Sequence, residues 1–173
     1  MTAQYPRDQY LASQYQNRPG PVAFADETML AKLFKRGDIP FYAMAAATFD
    51  RNSLDTIRDE LLELVGGDYW HATEAYALGH YDQITEMAEH VAARAEWNIV
   101  TVEMPLPKGG STDKARQTCL AALAKEVTRG TGPGAVRLIV AERNKTAKLN
   151  HLDQKTMHTL RQARDIHQDV AFT

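Results

Sequence analysis

The sequence predicts an α/β domain in which a mixed or parallel sheet is covered by helices. Two observations carry this. Short apolar runs that end in polar residues alternate with stretches whose apolar residues recur at helical spacing. The chain also has 173 residues, 44% of them hydrophobic, enough to close one sizeable core, and no linker or internal repeat divides it.

Residues 1 to 21 are rich in Tyr, Gln, Arg and Asn without a period and end in Pro19-Gly20-Pro21, so a flexible N-terminal tail is expected ahead of a single domain over 22 to 173. Val22-Ala23-Phe24-Ala25 reads as a buried strand, stopped by Asp26-Glu27-Thr28. Phe41 to Phe49 is a second apolar run, strand by context and helix by alanine content. Leu54, Ile57, Leu61, Leu64 and Val65 share one face of a helix near 53 to 65, with Gly66-Gly67 as its stop. Ile84, Met87, Ala88 and Val91 mark another helix near 79 to 95. Trp97 to Met104 alternates apolar and polar residues as a strand does, and Pro105 to Gly110 ends it.

A helix from about Asp113 to Arg129 carries Ala115, Cys119, Leu123 and Val127 on one face, and the glycine-rich run Gly130 to Gly134 ends it. Because that run precedes a strand, it lacks the strand-loop-helix context of a phosphate cradle. Ala135 to Ala141 is the clearest strand, followed at once by Glu142-Arg143-Asn144. A last helix is expected over Leu152 to Arg164, with Asn150 as N-cap and Leu152, Thr156, Leu160 and Ala163 facing inward. Val170-Ala171-Phe172 begins a further strand.

The formal net charge is −2, from 20 basic and 22 acidic residues spread along the chain, so no strong field draws nucleic acid or an anionic membrane. Any nucleic-acid contact must be local. No segment has the roughly 18 consecutive apolar residues of a membrane span, and the N-terminus has no secretory core, so no membrane association is expected. The one cysteine, Cys119, lies in an apolar helical stripe and reads as a buried thiol. A reducing, cytoplasmic setting is the expectation.

Metal-assisted phosphodiester hydrolysis needs carboxylates converging from different elements, because Mg²⁺ and Mn²⁺ prefer oxygen ligands. Asp26 and Glu27 follow the first strand and Glu142 follows a later one, so adjacent strands can bring them together. Side chains alternate along a strand, so at most one of the first pair shares a site with Glu142. Solvated or turn-capping carboxylates are the plain alternative. His71 and Glu74 are three residues apart and share a face if they open a helix. His71 then suits a general base or metal ligand, with Glu74 as its orienting carboxylate or a further ligand; the plain reading is a capped helix start. His80, His90, His151, His158 and His167 form no ligand spacing and are expected to face solvent. Zinc is disfavoured by the lack of a CxxC pair or an HExxH helix. Arg143, Lys145, Lys148, Lys155, Arg161 and Arg164 form either a phosphate-binding edge or a solvated helix face.

The Ala23-Phe24-Ala25-Asp26-Glu27-Thr28 segment, the small-residue run Phe41 to Phe49, the Trp70-His71 to Glu74 segment, the strand ending in Glu142 and the helix after Asn150 together resemble the family called domain of unknown function 3800. The resemblance covers most of residues 22 to 173 and implies a ribonuclease H-like fold. It implies a metal-dependent nuclease or phosphodiesterase in which Asp26 and Glu142 hold Mg²⁺ or Mn²⁺, with Glu27, His71 and Glu74 near them. Relatives usually continue into a Leu-Ala-Asp-like motif that supplies another acid, whereas this sequence stops at Thr173, so either the chain is truncated or the site is incomplete, and without that ligand two-metal cleavage would be compromised. The alternative is a non-catalytic relative that binds nucleic acid, a protein partner or a second copy of itself. A third reading is a small-molecule enzyme with His71 and Glu74 as base and acid.

Overall fold

The computed structural model describes residues 6–30, 37–67, 70–106, 111–130, 135–142, 144 and 146–173. Its centre is a five-stranded sheet in the order β3-β2-β1-β4-β5. The strands are β1 (Val22–Leu30), β2 (Phe41–Phe49), β3 (Trp97–Glu103), β4 (Leu138–Ala141) and β5 (Ala171–Phe172). β2 runs antiparallel to β1 and β3, while β4 is parallel to β1 and β5 to β4. The helices are α1 (Pro6–Asn17), α2 (Leu54–Val65), α3 (Ala72–Ala77), α4 (Tyr81–Arg94), α5 (Thr112–Val127) and α6 (Ala147–Gln162). This is the expected α/β architecture, a mixed sheet flanked by helices.

The pleat of β1 divides the core. Ala23 and Ala25 point to one face and pack with Met44 and Ala46 of β2, Cys119, Leu120 and Leu123 of α5, and Met157 and Leu160 of α6. Val22 and Phe24 point to the other, where Leu138, Val140, Leu54 of α2 and Tyr15 of α1 meet them. Leu120 and Leu123 are fully buried. Each such leucine contributes about 1.5–3 kcal/mol of burial, which fixes α5 against the sheet. The expected stripe Ala115, Cys119, Leu123, Val127 is buried throughout. Ser111 caps α5, its hydroxyl accepting the Asp113 N–H at 3.2 Å.

Several expectations are corrected. The tail expected over 1 to 21 includes helix α1, because Leu11, Gln14, Tyr15 and Arg18 recur at helical spacing, with Gln14 buried and Tyr15 in the α2-side core. Arg18 then ties the helix exit to the Asp169 carbonyl at 3.0 Å. β1 does not stop at Ala25 but continues to Leu30, because β2 pairs with it along its whole length. The alanine-rich Phe41–Phe49 run is strand, since a place between two partner strands outweighs helix propensity. α6 begins a turn earlier than expected and is capped by Thr146, not Asn150. Its inward residues are Asp153, Met157 and Leu160, one position away from the expected Leu152 and Thr156. α2 ends as expected at Gly66, which takes the left-handed conformation at φ 66° and closes the last turn through its N–H. The tip of the expected glycine-rich loop, residues 131–134, lies outside the described residues, as do 107–110.

Candidate functional site

The parallel ladder between β1 and β4 ends where Ala25 aligns with Ala141. The residues that follow are Asp26, within β1, and Glu142, just past the end of β4. Phe24 and Val140, two positions earlier, point to the α2 face, so alternation sends Asp26 and Glu142 to that same face. Both line one cavity of about 1140 Å³ whose walls include Phe24, Phe49, Leu54, Ile57 and Val140. β4 ends here, whereas β1 runs on beside β2 to Leu30, so Asp26 stands midway along β1 where its β4 neighbour stops. Asp26 and Glu142 are exposed, and Asp26 Oδ1 accepts the Glu27 N–H at 2.7 Å. Arg51, Asp55 and Arg58 share the cavity. Arg58 pairs with Asp55 at 3.3 Å, and Arg51 donates to the Arg18 carbonyl at 2.9 Å.

Glu27 points through the sheet to the opposite face and meets Arg116 of α5, as the alternation argument requires. Arg116 is almost wholly buried, and its Nε and Nη2 hold the two oxygens of Asp153 at 2.9 Å each. Its Nη1 reaches both Glu27 and the Tyr42 hydroxyl, the latter at 2.9 Å. Asp153 Oδ2 also accepts Asn144 Nδ2 at 2.9 Å. Burial alone would lower the Arg116 pKa, but hydrogen bonding and charge contact with Asp153, helped by Tyr42 and Glu27, outweigh it and push the value up. The Tyr42 hydroxyl is pushed up to about 12, chiefly by burial and against the pull of Arg116. This network escaped the sequence reading. Arg116 and Asp153 sit in helices rich in charge, and only the phase of α5 and α6 turns these two inward. The available signal was Arg116 beside the apolar stripe residue Ala115, which places it at the edge of the buried face.

His71 caps α3, its Nδ1 accepting the Thr73 N–H at 3.3 Å. That is the plain reading of the segment. Both His71 and Glu74 are exposed and neither lines the cavity of Asp26 and Glu142. His80, His151, His158 and His167 are exposed as expected, whereas His90 is half-buried, its Nε2 at 3.1 Å from Glu60. Among the described basic residues after β4, Arg161 and Lys148 are engaged in separate contacts. Arg161 donates to the Val170 carbonyl at 3.0 and 2.7 Å, Lys148 pairs with Asp113 at 2.6 Å, and Arg143 and Lys145 lie outside the described residues.

The donor set at the cavity suits one hard cation. Two carboxylates suffice for Mg²⁺ or Mn²⁺, which keep several waters and complete their shell with substrate oxygens. Among the described residues no group of three or more His, Cys, Asp or Glu could hold a metal ion, so the two-metal arrangement has no protein cage in these residues.

Compared by sequence, the chain matches no protein-family model and no curated protein. No helix among the described residues is long and apolar enough to cross a membrane. Among solved structures the chain is similar to the crystal structure of Bst RNase HIII in complex with Mn²⁺, with a TM-score of 0.48 and 13% identity. The match covers 90% of this chain and 46% of that one, so the chain spans less than half the length of that protein.

Proposed function

We propose that the protein is a metal-dependent phosphodiesterase acting on nucleic acid, with Asp26 and Glu142 as the ligands of a single Mg²⁺ or Mn²⁺. The reading is carried by one observation: two carboxylates, Asp26 within β1 and Glu142 just past β4, follow the last aligned pair Ala25↔Ala141 of the parallel ladder and line one cavity. When bound, the cation would draw a phosphate oxygen into the site, offset its charge and make a coordinated water a stronger nucleophile. Asp26 and Glu142 fix the position of that charge, and Asp26 is itself oriented by the Glu27 N–H. The apolar walls of the cavity limit access of bulk water on one side, which strengthens electrostatic attraction for a phosphodiester. Arg51 supplies positive charge at the same cavity, while Arg58 there is paired with Asp55. In this reading Glu27 is given to structure, and His71 and Glu74 have no part in the chemistry.

A second reading, a non-catalytic protein that binds a partner or another copy of itself, draws support from β3. This edge strand leaves Val100 and Val102 64% and 53% exposed, and Met104 just beyond it is 59% exposed. Such an apolar stripe beside unpaired strand edges suits β-strand addition.

The first experiment is calorimetric titration of Mn²⁺ into the protein and into Asp26→Asn, with cleavage of labelled single- and double-stranded RNA and DNA in parallel. The proposal expects metal binding and metal-dependent cleavage that both disappear in the folded variant. A folded parent that binds no Mn²⁺ would overturn it and leave the partner-binding reading.

A further inference from the structure

We infer that Arg116 and Asn144 are positioning residues which set the spacing of Asp26 and Glu142 from the opposite face of the sheet; the inference rests on the metal-site reading above. The ladder that aligns β1 with β4 ends at Ala25 and Ala141, one residue short of both carboxylates. Beyond that point no strand pairing between β1 and β4 fixes how far apart the two segments stand. The buried network spans the gap instead.

From β1, the side chain of Glu27, next to Asp26, is held by Arg116. Arg116 grips Asp153 of α6 with two parallel bonds of 2.9 Å, a geometry that fixes direction as well as distance. Asp153 in turn holds the side chain of Asn144, two residues after Glu142, at 2.9 Å. The backbone of Asn144 is clamped as well: its N–H donates to Asn150 Oδ1 at 2.9 Å and its carbonyl accepts from Asn150 Nδ2 at 3.0 Å. A continuous chain of directed bonds therefore runs Glu27, Arg116, Asp153, Asn144. Its two ends are the segments that present the candidate ligands to the other side of the sheet. Arg116 and Asp153 are 3% and 2% exposed, so water cannot substitute for either partner. Outer partners of this kind orient ligands they do not touch, and their loss commonly costs about 10–100-fold in metal affinity.

The test uses Asn144→Ala, which cuts the chain of bonds while leaving the buried Arg116–Asp153 pair intact, and Arg116→Lys, which keeps the charge but cannot make the paired bonds. Mn²⁺ affinity is measured by calorimetry. Amide hydrogen exchange at Asp26, Glu27, Glu142 and Asn144 is followed in metal-free protein. Expected for Asn144→Ala are a loss of about tenfold or more in Mn²⁺ affinity, faster exchange at Glu142 and Asn144, and a thermal midpoint within about 4 °C of the parent. Arg116→Lys is expected to lose affinity at least as far. Equal Mn²⁺ affinity in parent and Asn144→Ala, or parental affinity in Arg116→Lys, would overturn the inference. If the parent binds no Mn²⁺, the metal-site reading fails by itself. Exchange then decides the inference: faster exchange in Asn144→Ala sustains the positioning role, and unchanged exchange removes it.

Discussion

Arg116→Met is the most demanding test of the buried network as a stability element. The side chains of Arg116 and Asp153 are each 3% exposed, and that of Glu27 is 27% exposed. Methionine fills much of the same volume but removes every donor. Asp153 would keep one hydrogen bond, from Asn144, and its charge would lose the only cation it contacts among the described residues. Glu27 can turn toward solvent, so most of the cost falls on Asp153. Removing one partner of a buried pair costs about 3–5 kcal/mol, against total stabilities of about 5–15 kcal/mol for domains. With a urea dependence of about 2 kcal/mol per molar, the unfolding midpoint should fall by roughly 1.5–2.5 M. Urea titration followed by circular dichroism and tryptophan fluorescence measures it. The triple variant Arg116→Met, Asp153→Leu, Glu27→Gln is expected to recover most of the loss, because well-packed apolar residues often replace a buried ion pair at little cost. A midpoint shift below about 0.5 M in Arg116→Met would refute the reasoning, since at this urea dependence it equals only about 1 kcal/mol.

Tyr42 should give the protein an alkaline limit. Its hydroxyl is held protonated up to about 12 by burial, whereas an unfolded tyrosine ionises near 10. Below pH 10 this contribution is complete; between 10 and 12 the unfolded chain loses the proton first, so stability falls by up to about 1.4 kcal/mol per pH unit. Tyr42→Phe should be less stable at neutral pH by about 1 kcal/mol, from the lost Arg116 contact, yet decline more gently above pH 10. Parallel stability curves for the two proteins would count against this account. Cys119 is 2% exposed, its Sγ lies 3.6 Å from the Tyr42 carbonyl oxygen, and burial pushes its thiol pKa up. Maleimide should therefore modify it only at the rate of unfolding, and rapid labelling in native buffer would show that α5 opens locally.

Most elements were legible because their signals are local. The alternation of Trp97 to Met104, the apolar stripe of α5 and the glycine stop of α2 each depend on residues within a few turns of one another. Errors arose where a distant partner made the decision. β1 outruns its apolar run because β2 pairs with it to Leu30. The polar stretch Pro6–Asn17 is helical with Gln14 and Tyr15 packed against the domain. α6 starts at Ala147 because Thr146 caps it, which frees Asn150 to clamp Asn144.

The sequence by itself determined the α/β fold class, singled out Asp26, Glu27 and Glu142 as candidate carboxylates and, through the two-residue period of a strand, indicated that only one of the first pair could share a face with Glu142. Which one was a tertiary decision. Asp26 faces the cavity and Glu27 faces Arg116 because α5 packs on the side of Ala23 and Ala25. The pairing of Arg116 with Glu27 spans 89 positions and that with Asp153 spans 37. No local pattern encodes such contacts, since they depend on two helices docking on one sheet face in a fixed phase. His71 and Glu74 show the converse: their spacing is local and helical, but α3 leaves both exposed and outside the cavity. Spacing along an element sets which side chains share a face, and only packing decides what that face meets.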